Sequence, residues 1–131
     1  MADTSLIKKP GIKPGYKLLI LNAPEGYLET LGTLPEATDI KTRADGSFDL
    51  VQIFLYNKAH VEKLTPTGIQ AVKPGGLLWF TYPKRTAKIK SDITRDTGWE
   101  SVRAVGWRPV TQIAIDETWS ALRFRPESEV K

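Results

Sequence analysis

Ala71-Val-Lys-Pro-Gly-Gly-Leu-Leu-Trp-Phe-Thr-Tyr-Pro-Lys-Arg85 reads, in that order, as a helix end, a glycine turn, an apolar strand and a basic loop. Lys73 suits a last helical turn, where a cation meets the negative end of the helix dipole. Pro74 cannot continue a helix, and Gly75-Gly76 can take up φ > 0 without a steric penalty. Leu77-Leu78-Trp79-Phe80 is apolar with no alternation. A strand of that kind is covered on both faces, as in a parallel sheet flanked by helices.

Working outward, Phe48–Tyr56 carries a second unbroken apolar run, Leu50, Val51, Ile53, Phe54 and Leu55, and is expected to lie beside Leu77–Tyr82 in parallel. Asn57 can cap a helix running to about Val72, with Pro66 and Gly68 interrupting it; Thr65-Pro66 has the form of a cap and a first helical position, so two short helices or one kinked helix are expected. Upstream, Gly11-Ile-Lys-Pro-Gly15 leads into a strand at Tyr16–Leu21, followed by the turn-rich loop Asn22-Ala-Pro-Glu-Gly26 and a short helix over about Tyr27 to Leu31. A brief polar strand around Ala37–Lys41 fits a sheet edge. Downstream of the opening stretch, Ser91 or Thr94 caps a helix ending at Gly106, with Trp99, Val102 and Val105 on one face. Val110–Ile115 and Trp119–Phe124 are joined by Asp116-Glu117-Thr118, too short for a parallel crossover, so they form an antiparallel hairpin. The alternation predicts an α/β, Rossmann-like three-layer sandwich with a mostly parallel sheet of about six strands and an antiparallel C-terminal hairpin. Residues 1–10 and 127–131 read as tails around a single domain over 11–126.

The 131 residues suffice for one hydrophobic core. There is no cysteine, which removes disulfides, thiolate metal sites and a cysteine nucleophile. No apolar run approaches 18 residues and the first residues lack a secretory pattern, so a cytoplasmic location is the expectation. The net charge of +4 is compatible with an anionic partner without requiring one. Lys84, Arg85, Lys88, Lys90 and Arg95 form a basic run with no interleaved aromatic platform, which favours a solvated loop over a nucleic-acid surface. His60 is the sole histidine and has no evident carboxylate partner in sequence. Nucleophile elbows, Walker loops and metal-ligand spacings are all missing, so no catalytic or metal residue is assigned.

Phe48-Asp-Leu-Val51 and Val72-Lys-Pro-Gly-Gly-Leu-Leu-Trp79, with Lys13-Pro-Gly15 before the first strand, resemble the strand entries of class I S-adenosylmethionine-dependent methyltransferases. With Tyr82-Pro-Lys84 and Trp119-Ser-Ala-Leu-Arg123, they resemble more closely a family of small bacterial methyltransferase-like proteins of unknown function. The resemblance covers about residues 11 to 126 and implies a methyltransferase-like sheet lacking one βα unit between Lys41 and Phe48. That fold follows its first strand with an acidic residue and a Gly-x-Gly-like turn, where glycines let the backbone approach the ligand. Leu21-Asn-Ala-Pro-Glu-Gly-Tyr27 has one glycine and a proline there, and Asp39 is the candidate for the ribose-binding acid. No cofactor is therefore expected.

In open α/β sheets, ligands bind beyond the carboxyl ends of the strands where the strand order reverses. That places a candidate ligand cleft between Tyr16–Leu21 and Phe48–Tyr56, offering Asn22, Glu25, Gly26, Tyr56, Asn57, Tyr82 and Lys84 to a small polar or anionic molecule. Turn chemistry accounts for most of the same residues: Pro24 and Gly26 shape a turn, Asn57 caps a helix and the tyrosines pack at strand ends. Together these readings favour a non-catalytic binding or interaction module, with a protein partner or a second copy of the chain as further candidates. The alternatives are a divergent enzyme, including a methyltransferase, acting on a small anionic molecule, and a nucleic-acid-binding domain.

Overall fold

The structure is a computed structural model, and it describes residues 15–23, 27, 38–43, 46–84, 91–94, 97–115 and 118–126. In chain order these form β1 (Lys17–Leu21), β2 (Asp39–Lys41), β3 (Phe48–Phe54), α1 (Lys58–Ala71), β4 (Val72–Pro83), α2 (Glu100–Ala104), β5 (Trp107–Ala114) and β6 (Trp119–Pro126). The six strands form one sheet in the order β2-β1-β3-β4-β6-β5. As the two apolar runs require, β3 and β4 are adjacent and parallel, with Leu50 opposite Leu77, Val51 opposite Leu78 and Ile53 opposite Phe80. β6 enters antiparallel between β4 and β5. The hairpin is present as expected, but its first strand runs with β1–β4, so β6 alone opposes the sheet direction among the described strands.

The sheet separates two apolar clusters. On one face Leu19, Val51, Ile53, Leu78, Phe80, Leu122 and Phe124 pack against Val61 and Ala71 of α1 and against Trp99 and Val102 at α2. On the other, Leu18, Ile20, Leu50, Phe54, Trp79, Trp119 and Ala121 meet Tyr27. Burying an aliphatic or aromatic side chain of this size contributes about 1.5–3 kcal/mol, so the doubly covered β3–β4 pair contributes a large share of the stabilisation. Beyond Tyr27, the helix expected to Leu31 lies outside the described residues.

β2 is an edge strand of three residues. It runs parallel to β1 and is separated from β3 by residues 42–47 alone. Returning to the start of β3 takes about 10 Å backwards and about 10 Å sideways across β1. Seven peptide steps of about 3.3–3.6 Å span that distance without a helix. The brevity of β2 is what allows the βα unit to be left out.

Several local expectations are corrected; Lys73, expected in a last helical turn, lies in β4 beyond the end of α1 at Ala71. Of the two forms expected, α1 takes the single helix, continuous through Pro66 and Gly68, and the pair of short helices is not formed. Thr65 is not a cap; its Oγ1 donates to the Val61 carbonyl at 2.5 Å. Gly68 faces the sheet so closely that a Cβ there would lie 2.8 Å from Ile53 Cδ1 and 3.2 Å from Leu78 Cδ1. It is a glycine of close approach, not a breaker. The helix expected from Ser91 or Thr94 starts only at Glu100, because both hydroxyls close local turns, accepting from Ile93 N and Thr97 N. Val105 does not join Trp99 and Val102: α2 ends at Ala104, Gly106 turns the chain with φ 86°, and Val105 is 57% exposed. β5 then begins at Trp107, three residues earlier than expected.

Candidate functional site

The strand order reverses between β1 and β3, so the crevice lies beyond Leu21 and Phe54. β1 pairs with β3 as far as Leu21 opposite Ile53. Asn22 then turns the chain with φ 59°, the left-handed region that asparagine tolerates. Its Nδ2 donates to the Phe54 carbonyl at 2.8 Å, so a side-chain amide ties the two strand ends where the backbone ladder stops. Glu25 and Gly26 lie outside the described residues.

On the far side of the crevice, Tyr56 is half-buried and makes edge contacts with Trp119 and His60, at centroid distances of 5.2 and 5.7 Å. Asn57 is the N-cap of α1, its side chain accepting from His60 N at 3.0 Å. Lys84 is half-buried, and its backbone N–H donates to Thr118 O at 2.8 Å. Tyr82 turns to the helical face, where its ring meets Trp99 edge-on at 5.6 Å and its hydroxyl accepts from Gln112 Nε2 at 2.9 Å. The fold thus brings Asn22 and Tyr56 to the ends of β1 and β3, assigns Asn57 to the helix cap, and sends Tyr82 into the other layer.

Sequence reasoning passed over a polar chain beneath this crevice. Tyr27 Oη donates to Gln52 Oε1 at 3.0 Å, and Gln52 Nε2 donates to Thr81 Oγ1 at 3.0 Å, all three residues being buried. The signal was available: Gln52 is the one polar residue inside Leu50-Val-Gln-Ile-Phe-Leu55. Tyr27 also meets Phe54 edge-on at 4.6 Å, and Phe54 meets Trp119 at 5.0 Å, so aromatic rings fill the sheet face under the strand ends. Trp79, Trp99 and Trp119 are buried and Trp107 is half-buried, so core packing accounts for all four.

Among the described residues, the ionisable group that the fold perturbs is at the opposite end of the sheet. The Lys17 backbone N–H donates to Asp49 Oδ2 at 2.8 Å, and Lys73 Nζ lies 3.3 Å from Oδ1. The Lys17 N–H first, and the Lys73 ammonium with it, hold the carboxyl below the usual carboxylate range, against an opposing effect of partial burial. Among the described residues no three histidine or acidic side chains group as metal ligands, and no helix is long and apolar enough to cross a membrane. Two surface hollows of about 360 Å³ each flank α2, sharing Glu62 and Ser101 in their linings.

An S-adenosyl cofactor in this fold needs an acid at the end of the second strand to take the ribose hydroxyls. Asp39 does not fit that role. It opens β2, sits opposite Lys17 at the start of β1, and lies 3.7 Å from Lys41 Nζ. From there to Leu21 is about 13 Å along the strand. Lys41 occupies the last position of β2, and Thr42 and Arg43 follow it. Among the described residues, the side chains at the crevice do not match the cofactor's requirements.

The chain matches no protein-family model and no curated protein sequence. Solved structures do match. DhpI in complex with S-adenosylhomocysteine aligns over 95% of this chain and 82% of its own, with TM-score 0.64 and 16% identity. A S-adenosylmethionine-dependent methyltransferase from Aquifex aeolicus aligns over 93% and 88%, with TM-score 0.62 and 12% identity. Aeropyrum pernix fibrillarin with natively bound S-adenosylmethionine aligns over 95% and 76%, with TM-score 0.60 and 9% identity. At such identities the likeness concerns architecture alone: the chain has the Rossmann-like fold of the class I S-adenosylmethionine-dependent methyltransferases.

Proposed function

We propose that this chain is a non-catalytic binding or interaction module built on the methyltransferase fold, and that it does not use S-adenosylmethionine. The observation that carries this reading is the end of β2, where Lys41 stands and Asp39 is held at the far end of the strand. The amide tie from Asn22 to Phe54 O supports it, since it uses the strand-end carbonyl beside the crevice. Unpaired ribose hydroxyls and lost close contacts together remove several kcal/mol, given about 1–3 kcal/mol for each buried polar group left unsatisfied. Every 1.4 kcal/mol is about a factor of ten, so a micromolar site becomes millimolar or weaker.

Calorimetric titration with S-adenosylmethionine and S-adenosylhomocysteine tests the reading. The expected result is no saturable heat. A dissociation constant below about 10 μM, weakened by Glu25→Ala, would overturn it and show a divergent cofactor loop. That outcome would support the competing reading, a divergent enzyme acting on a small anionic molecule. The observation in favour of that alternative is that DhpI and the Aeropyrum fibrillarin, which share the fold, hold S-adenosylhomocysteine and S-adenosylmethionine.

A further inference from the structure

We infer that His60 makes the N-terminal cap of α1 sensitive to protons, so that acidification releases the β3–α1 turn that carries Tyr56 into the crevice wall. In an ordinary capping box, the cap side chain accepts from the backbone N–H three residues on, and a Glu or Gln at that third position reaches back to the cap residue's own N–H; here the returning contact falls one residue earlier, on the residue before the cap. Asn57 plays the first part here, accepting from His60 N at 3.0 Å. His60 plays the second: its Nδ1 lies 3.1 Å from Tyr56 N. A backbone N–H can only donate, so Nδ1 must carry the lone pair and the ring proton must sit on Nε2. A glutamine in this position would accept at any pH. An imidazole accepts only while neutral, because the second proton fills the lone pair and sets two donors against each other.

The surroundings of this turn contain little that would compensate. The first turn of α1 carries no acidic residue, and helix N-termini disfavour added positive charge. From the neighbouring segment the Asp92 carboxylate faces the same turn, its Oδ1 accepting from Lys58 N at 2.8 Å, and it remains an anion whose influence the test below isolates. On α1 itself the nearby charged side chains in sequence are Lys58, Glu62 and Lys63, and none forms an ion pair with His60 among the described residues. The ring packed on His60 is Tyr56, and Tyr56 in turn packs on Trp119 of β6. Losing the Nδ1 bond therefore frees a backbone N–H and loosens an aromatic contact at the end of β3. Imidazole is the side-chain group whose charge change the range from pH 5 to 8 is suited to examine.

The test is amide hydrogen exchange and nitrogen-15 NMR on the full chain between pH 5 and 8. Exchange protection at Tyr56 N–H, corrected for the intrinsic rate, is expected to fall about fivefold as the His60 ring gains its proton, the size of one lost cap. His60→Gln keeps an uncharged acceptor and should hold protection level across the range, whereas His60→Ala should be low throughout. Ring nitrogen shifts of the wild type at pH 8 should report the Nε2–H tautomer, a readout that needs no variant. The inference fails if the ring carries its proton on Nδ1 at pH 8, or if Tyr56 protection stays constant while His60 titrates. It fails equally if His60→Gln retains the wild-type pH dependence and Asp92→Asn removes it, which would assign the effect to Asp92.

Discussion

Asp49 is where the resemblance motifs can be tested against the physics of the fold. It sits in Phe48-Asp-Leu-Val51, accepts the Lys17 N–H at the start of β1, and meets Lys73 at the entry to β4. One carboxylate thus ties the starts of three strands. Replacing it with alanine removes a hydrogen bond to a charged group, worth about 1.5–3 kcal/mol. The Lys73 pair adds at most about 1 kcal/mol, because its side chains are 45% and 27% exposed and water screens them. The exposure argues for the lower end, so Asp49→Ala should destabilise by about 2 kcal/mol at neutral pH. Asp49→Asn keeps an oxygen acceptor for Lys17 N–H and should cost about 1 kcal/mol. The pH dependence has a definite sign. The folded carboxyl titrates below its unfolded value, so over the intervening range the unfolded chain binds more protons. The stabilisation is complete above the unfolded value, about pH 3.9, and is lost as pH falls through the folded one. Urea denaturation at neutral pH and in steps below pH 4 measures this. A loss under about 0.5 kcal/mol for Asp49→Ala at pH 7 would refute the reasoning, being within the range of an ordinary surface change. So would a wild-type-to-variant gap that does not narrow in acid.

The two glycines of the Lys73-Pro-Gly-Gly76 entry should fail differently. Gly75 has φ 78° with open space around it, so Gly75→Ala should cost about 1–2 kcal/mol in thermal unfolding while Gly75→Asn costs much less. A Cβ on Gly76 would lie 2.9 Å from the carbonyl oxygens of Asp49 and Lys73, so Gly76→Ala should cost more than Gly75→Ala, about 2–3 kcal/mol, and asparagine should not rescue it. In the buried chain below the crevice, Tyr27→Phe should cost about 1–3 kcal/mol by leaving Gln52 Oε1 unpaired. A double-mutant cycle with Gln52→Leu, followed by chemical denaturation, should show positive coupling; additivity would remove the case for a connected network. Asn22→Gly keeps the left-handed turn but deletes the bond to Phe54 O, and should lower stability by about 1 kcal/mol, with Asn22→Ala lower still.

The parallel centre of the sheet was legible because β3 and β4 are covered on both faces, and such strands have no polar face to blur the pattern. The edge position of β2 was legible from its polar residues. What sequence could not give was the role of single residues whose meaning depends on a neighbour. Gly68 reads as a breaker until Ile53 and Leu78 are seen pressed against it. Pro66 lies on the exposed side of α1, while its buried neighbour Thr65 donates to the carbonyl of the preceding turn. Val105 matches the helical period of Trp99 and Val102, yet periodicity does not carry the information that α2 stops one residue earlier. At the crevice, the β1–β3 position followed from strand order. Tyr82 could not be placed, since a shift of one residue along a strand reverses the face a side chain meets.

These two kinds of legibility separate in space. Phe48-Asp49 and Val72–Gly76 both lie at the amino ends of parallel strands. There Asp49 holds β1 and β4 to β3, and glycines let backbones cross closely. Such features serve the assembly of the sheet. A ligand would meet the carboxyl ends, and the described residues there include Asn22, Tyr56, Asn57 and His60, each held by a neighbour within the chain. A resemblance carried by strand entries can therefore report the architecture correctly and still say nothing of the chemistry at the other end of the same strands. The discriminating experiments accordingly act on the carboxyl end, through cofactor titration and the protonation of His60, while the Asp49 and glycine variants probe the fold alone.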